Sequence, residues 1–393
     1  MVDFILFPSL DPITPALRFL ITLTICVLAC GFLSCLAFLH GQRLSKIPVR
    51  IHVAGTRGKS ATVRLIAAGL SAGGYRVAAK VTGTRPAIIL PGGTERPVPR
   101  WGAAAIREQR DFITVAHRTG ADAIVVEAMG IEPEYLHALE RFYIRATDLV
   151  ITNVRPDHQE QLGSAPGAMA DAISEAIPFH GRVFSAVEAA IPIVTERAAA
   201  HGCQVSVVAS DADDPEDANR QLALEVCMRY GIARADAERA MRSASSDIGA
   251  FAITTLHVDG RTISFANAFS CNDVDSLERM WRRHQPAARP AAFVLNPRAD
   301  RPIRTAEFLK LLMRLAPNAP LFIIGADVGL WRQAIATGFS LERLHRLPQQ
   351  LADDSLRVIA QEVEDGSIVW GVGNFRFGGA RLSALAEAAR APC

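Results

Sequence analysis

Apolar positions along the chain fall into three regimes, and each predicts a different kind of element. From Phe19 to Leu39 they are almost continuous, broken only by Thr, Ser, Cys and Gly. About 20 such residues span a hydrocarbon core as a helix, so a transmembrane helix is expected over about 18–40. From 49 to about 250, short apolar runs alternate with longer ones of helical period. Val49 to Val53 reads as a strand, and 61–72 as a helix with Val63, Ile66, Ala67 and Leu70 on its buried side. Strands are predicted at 76–81, 123–127, 149–153, 182–185 and 204–209, and helices at 103–118, 166–177, 186–200 and 217–230. From 251 the pattern shifts to a hairpin, 251–258 with 261–266 across Asp259-Gly260. Helices at 275–284 and 304–315 then alternate with strands at 291–296 and 321–324, and a final strand at 368–374 runs into a glycine turn. The βα alternation predicts an α/β fold with a mostly parallel sheet covered by helices. The organisation is an N-terminal segment 1–47 with the membrane helix, a central domain 48–250 and a smaller C-terminal α/β domain 251–393.

Charge orients the first segment. Arg43, Lys46 and Arg50 follow the apolar run, while Asp3 and Asp11 precede it, which puts the C-terminal side in the cytoplasm. A cleaved signal peptide fits less well, because the leading region is acidic and the apolar run exceeds a signal core. A buried helix of a soluble protein is the other rival. In the 393 residues, 50% are hydrophobic and the net charge is +2, so a large core is available and no electrostatic case for nucleic acid arises. Seven cysteines show no CxxC pair or metal spacing, which points to reduced thiols in a cytosolic compartment. Lysine occurs only at Lys46, Lys59, Lys80 and Lys310, so a lysine inside a glycine turn stands out.

That turn is Gly55-Thr56-Arg57-Gly58-Lys59-Ser60, between a predicted strand and a predicted helix. Gly55 and Gly58 let backbone N–H groups approach phosphate oxygens, and the helix N-terminus favours an anion. Lys59 reaches the outer phosphates and the Ser60 hydroxyl suits Mg²⁺. The eight-residue form of this motif is not met, since position 53 is Val; a plain strand-turn-helix is the bland alternative. Two further strand ends carry chemistry: Glu127, and Asn153-Val154-Arg155-Pro156-Asp157-His158. Ligands of such sheets sit at the carboxyl ends of strands, so Ser60, Glu127 and His158 are candidates to surround one Mg²⁺. Singly, Glu127 reads as a salt-bridge carboxylate and His158 as an ordinary loop histidine. In the C-terminal domain, Arg298 and Arg301 are candidate carboxylate clamps through their guanidinium forks, or else surface ion pairs.

In order along the chain, G-T-R-G-K-S at 55–60, Thr82-Gly83-Thr84, Glu127 and N-x-x-x-D-H at 153–158 form one set. Asn267-Ala268-Phe269 with Asn272-Asp273, N-P-R-A-D-R-P-I-R at 296–304 and Gly371-Val372-Gly373-Asn374 complete it. The set resembles the Mur ligase and folylpolyglutamate synthase superfamily, and within it the ligase subunits of poly-γ-glutamate synthases, which carry a membrane helix directly before the phosphate loop. The resemblance covers nearly all of 18–393. It implies a P-loop, Mur-ligase-like central domain and an ATP-dependent ligase that phosphorylates a glutamate γ-carboxylate and lets the amine of another glutamate attack. It implies that Gly55, Thr56, Arg57, Gly58, Lys59, Ser60, Asn219 and Asp273 bind ATP, and that Ser60, Glu127 and His158 hold Mg²⁺. Lys59, Asp157 and His158 would be catalytic, and Thr82, Thr84, Arg298 and Arg301 would face substrate. Implied partners are glutamate, the growing chain, a small multi-helix membrane subunit and further synthase or export subunits, with homo-oligomerisation left open. The implied place is the bacterial inner membrane, single-pass, with cytoplasmic catalytic domains. One departure is the absence of any lysine between 81 and 309, which removes the residue several relatives carbamylate. The same chemistry on another acid, such as a folate or a cell-wall precursor, and a membrane-bound NTPase that energises export are the alternatives.

Overall fold

The computed structural model describes residues 15–83, 86–100, 104–154, 167–186, 189, 191–209, 215–244, 251–271, 273–298, 301–325 and 328–390. The chain divides into two compact units: Met1–Thr82 with Pro86–Ala244, and Ser245–Cys393 with Gly83–Arg85.

The first unit opens with helix α1 (Pro15–Ser45), followed by β1 (Val49–Ala54), α2 (Lys59–Ala72), β2 (Val77–Val81), β3 (Ala87–Ile89) and β4 (Glu95–Pro97). Then come α3 (Arg107–Arg118), β5 (Ala123–Glu127), α4 (Pro133–Ala138) with a π-helical turn Leu139–Ile144, and β6 (Asp148–Ile151). The unit ends with α5 (Ala168–Ser174), β7 (Arg182–Ala186), α6 (Pro192–Ala200), β8 (Gln204–Val208), α7 (Pro215–Arg229) and α8 (Arg234–Arg242). Among the described residues the strand order is β4-β3-β2-β5-β1-β6-β7-β8, with β3 and β4 antiparallel and the rest parallel. The unbroken apolar runs of β2, β5 and β6 follow from burial on both faces. On one face, Val63, Ile66 and Leu70 of α2 pack with Leu222 and Val226 of α7 and Met241 of α8. On the other, Phe112 and Ile113 of α3 pack with Ile124, Val126, Leu139 and Ile144, and Leu44 and Ile47 at the end of α1 join them. The strand order reverses at β1, which lies between β5 and β6, and such a switch point opens a crevice at the carboxyl ends of the strands.

The second unit contains the hairpin β9 (Ile253–Val258) and β10 (Arg261–Asn267), then α9 (Val274–His284), β11 (Ala291–Asn296), α10 (Pro302–Leu315), β12 (Leu321–Ile324) and α11 (Val328–Thr337). It closes with β13 (Leu344–Leu347), α12 (Ser355–Glu362), β14 (Ile368–Gly373) and α13 (Gly378–Ala388). The order is β13-β12-β11-β14-β10-β9, parallel except for the hairpin. Asp259 and Gly260 both take positive φ, 49° and 78°, which matches the twist of a two-residue hairpin turn. Trp370 of β14 is fully buried on one face with Phe293, Phe308 and Leu312, and Phe322, Val369 and Ile359 fill the other.

Candidate nucleotide site

Strand β1 delivers residues 55–58 to the switch point. Gly55 and Gly58 have φ of 127° and 77°, where L side chains are strained. Space excludes side chains there as well: a Cβ at Gly55 would overlap Thr152 Oγ1, and one at Gly58 would overlap the Asn219 amide. The loop is clamped from the end of β6. Asn153 Oδ1 accepts from Thr56 Oγ1 (2.5 Å) and from the Arg57 N–H (2.9 Å), and Asn153 Nδ2 donates to the Arg57 carbonyl (3.0 Å). Thr152 Oγ1 donates to that same carbonyl at 2.6 Å. Asn219 on α7 closes the far side, its Oδ1 accepting from Thr62 Oγ1 at 3.2 Å.

Helix α2 starts from Gly58 with no side-chain cap and no acid in its first turn, so its leading N–H groups face the loop with a partial positive charge. Lys59 Nζ donates to the Gly55 carbonyl at 2.8 Å, which folds the ammonium over the turn. One residue on, Ser60 Oγ donates to Glu127 Oε2 at 2.8 Å, and the Thr82 N–H donates to the same oxygen at 2.6 Å. Glu127 is 3% exposed. A hydroxyl and a carboxylate side by side at a phosphate loop are hard oxygen donors, the set that Mg²⁺ takes when phosphates and waters complete its shell. Among the described residues no three His, Cys, Asp or Glu side chains gather into a metal site by themselves. The donors present therefore fit a cation shared with a nucleotide rather than a protein-only cage.

The structure thus brings together residues 55–60, the Thr82 backbone, Glu127 and Asn219. Asp157, His158 and Thr84 lie outside the described residues. Asp273, Arg298 and Arg301 belong to the second unit. Asp273 caps α9, its carboxylate accepting from the Ser276 N–H (2.7 Å) and Ser276 Oγ (2.9 Å). Arg301 precedes the Pro302 start of α10, and its N–H donates to the Arg298 carbonyl at 3.1 Å.

Sequence reasoning did not see the clamping by Thr152 and Asn153, although Asn153 opens one of its motifs. It also gave no role to Lys80, which is fully buried in β2. Lys80 Nζ lies 3.3 Å from Glu108 Oε2, and Arg100 Nε stands 2.8 Å from Glu108 Oε1. Burial drives the Lys80 ammonium down to about 8, against the opposing pull of Glu108. Burial raises Glu108, but the Arg100 hydrogen bond and the Lys80 charge outweigh it and hold the carboxyl below its usual range.

Comparison with known proteins adds the lineage. Residues 253–389 match the family model of the poly-gamma-glutamate synthase CapB C-terminal domain. The chain is 27% identical over 369 residues to the PGA synthase CapB of Bacillus subtilis (strain 168), covering 88% of this chain and 93% of that one. Residues 253–389 thus belong to the CapB C-terminal domain family. A second CapB, the capsule biosynthesis protein of Bacillus anthracis, is 30% identical over 287 residues, 69% of this chain and 62% of that one. Solved structures of a folylpolyglutamate synthase and a Mur ligase share the fold of the chain. The bifunctional folylpolyglutamate synthase/dihydrofolate synthase of Yersinia pestis, complexed with AMPPNP and Mn ion, matches with a TM-score of 0.67 at 14% identity, covering 89% of this chain and 92% of that one. MurF from Acinetobacter baumannii matches at 0.65 and 12% identity, covering 90% and 80%.

Proposed function

We propose that the chain is a membrane-anchored, ATP-dependent amide ligase that joins glutamate residues through γ-linkages by way of an acyl phosphate. The observation that carries this reading is the clamped loop 55–58, which holds Lys59 over a turn while Ser60 meets a buried Glu127. A simple connection needs neither a lysine folded over backbone carbonyls nor a carboxylate buried beside a serine. Similarity to CapB proteins supports an amide-bond-forming ligase, and the Bacillus subtilis relative is named a PGA synthase.

In the first step a γ-carboxylate oxygen attacks the terminal phosphorus of ATP, the bond to the bridging oxygen breaks and ADP leaves. In the second, the amine nitrogen of another glutamate attacks the acyl carbon, a tetrahedral intermediate collapses, phosphate leaves and the nitrogen gives up a proton. Lys59, the loop N–H groups and the α2 N-terminus hold the charge that spreads over the transferred phosphoryl oxygens. Mg²⁺, held by Ser60, Glu127 and His158, would neutralise charge between the outer phosphates when bound. Asp157 acts beside His158, Asn219 and Asp273 contact the nucleotide, and Thr82, Thr84, Arg298 and Arg301 face the glutamate carboxylates.

Helix α1 supplies the anchor. Over Ala16–Ser45 it is long and apolar enough to cross a bilayer, and Phe19, Phe32 and Phe38 are each more than 60% exposed. An apolar surface of that extent calls for lipid or a partner. The basic flank at Arg43, Lys46 and Arg50 sets the globular units on the cytoplasmic side. There a multi-helix membrane subunit and export components would receive the polymer.

Hydroxylamine tests the chemistry directly, because it captures acyl phosphates as hydroxamates. With full-length protein in detergent, ATP and glutamate, γ-glutamyl hydroxamate should accumulate with an equal amount of ADP. Release of AMP, or hydrolysis of ATP to the same extent without glutamate, would sink the reading.

A further inference from the structure

The junction between α1 and the first unit has no linker. The 31-residue helix is about 46 Å long. Its apolar stretch ends at Leu39, and the very next residues are docked. His40 Nε2 meets the Tyr143 carbonyl at 2.9 Å, Arg43 Nη1 donates to Thr114 Oγ1 at 3.0 Å, and Leu44 is 3% exposed in the core. From Leu39 to Leu44 the helix rises only about 7 Å, roughly the thickness of one headgroup layer. Groups of the globular unit that touch α1 at 40–44 therefore lie at headgroup depth.

Two arginines distant in sequence arrive at that level. Arg145 takes a left-handed conformation (φ 48°) directly after the π-helical turn, and its Nη1 stands 4.0 Å from where a Cβ on Gly41 would be. Arg110 lies on α3, one turn before Thr114. Arg145, Arg43 and Arg110 all stand close enough to the His40 ring to act on it electrostatically. The acid paired with this group among the described residues is Asp111, 3.5 Å from Arg110 and 65% exposed. Packing of an apolar helix end does not call for three guanidinium groups in one patch, since they repel one another. Phosphate oxygens at this depth would supply the missing negative charge, and guanidinium forks bind phosphate well. Phe142, the neighbour of the docked Tyr143, is 61% exposed, an aromatic side chain of the kind that favours the membrane interface.

We infer that Arg43, Arg110 and Arg145 form a binding site for anionic phospholipid headgroups around the point where α1 leaves the bilayer. The inference rests on the membrane-anchored reading above, and it commits to lipid rather than free phosphate because the patch abuts the helix within the headgroup layer. The test is electron spin resonance of full-length protein in nanodiscs doped with spin-labelled phosphatidylglycerol or phosphatidylcholine. Wild type should immobilise the anionic label preferentially, by roughly fivefold for each contributing arginine. The preference should weaken at high salt. Arg110→Gln with Arg145→Gln should bring it down toward that of the zwitterionic label, while Arg110→Lys with Arg145→Lys should keep most of it. Equal immobilisation of both labels by wild type would overturn the inference and leave the anchor standing. Equal loss in the Gln and Lys pairs would also overturn it, because charge would not be what binds. A full-length chain that does not enter nanodiscs would bring down the anchor and the inference together.

Discussion

Lys59 and Glu127 divide the work of the proposed site, one as a cation over the loop and the other as a buried anion behind it. Lys59→Ala removes the charge while keeping the helix start, and ATP turnover should fall by at least about a hundredfold, measured as ADP release. Glu127→Gln keeps the shape and loses the charge. It should raise the Mg²⁺ concentration needed for half-maximal turnover by about tenfold or more, read from a metal titration. The backbone logic of Gly55 and Gly58 was legible in the sequence, because a glycine turn before Lys-Ser dictates local geometry. The clamp from Thr152 and Asn153 was not, since it depends on β6 lying beside β1. Lys80 was equally hidden, for nothing near it in sequence shows that Glu108 and Arg100 will meet it. Its lowered value makes a pH prediction. Between about 8 and the unfolded value of 10.5, the unfolded chain holds a proton that the folded chain has released, so stability rises with pH across that window. Lys80→Met should abolish that rise, a difference on the order of 3 kcal/mol between the two proteins in urea unfolding from pH 7.5 to 10.5.

At the scale of elements, the long parallel strands were readable because burial on both faces forces near-continuous apolar runs. The edge strands β3 and β4 were not, being three residues each and the second with no buried residue. Helix α6 starts at Pro192 rather than near 186, where proline supplies the first-turn φ. Arg64 of α2, a buried cation, is held by Glu95 of β4 at 2.6 Å and 3.0 Å, so the short edge strand still fastens the helix that carries the loop. The π-helical turn had no sequence signal, yet it fixes the strand that bears the site. Its Glu140 accepts from the Ala146 N–H at 2.7 Å and meets His52 Nδ1 of β1 at 3.0 Å, and both side chains are buried. Glu140→Ala strands two buried donors and should cost about 3 kcal/mol in urea unfolding.

On the scale of the whole molecule, the end of the apolar helix α1 is also a piece of the core. Deleting residues 1–38 should leave the first unit folded and able to bind nucleotide while releasing it from the membrane fraction. Deleting through 47 should remove Leu44 and Ile47 from the core and lower the thermal midpoint by several degrees, the effect of losing about 2 kcal/mol or more of buried apolar surface. The α/β class was legible in the alternation of apolar runs, and the likeness to CapB proteins in the ordered motifs, because strand ends carry their chemistry at fixed places in the chain. The proposed headgroup site was not, since only folding carries Arg110 and Arg145 to α1. The central claim is that ATP bound at residues 55–60 drives γ-linkage of glutamate. The most direct test supplies membranes containing wild type or Lys59→Ala with ATP and radiolabelled glutamate. Wild type should yield a γ-linked polymer with one ADP for each bond, and Lys59→Ala should yield neither. Polymer formed equally by both proteins, or ADP released by wild type with no polymer and no need for glutamate, would contradict it.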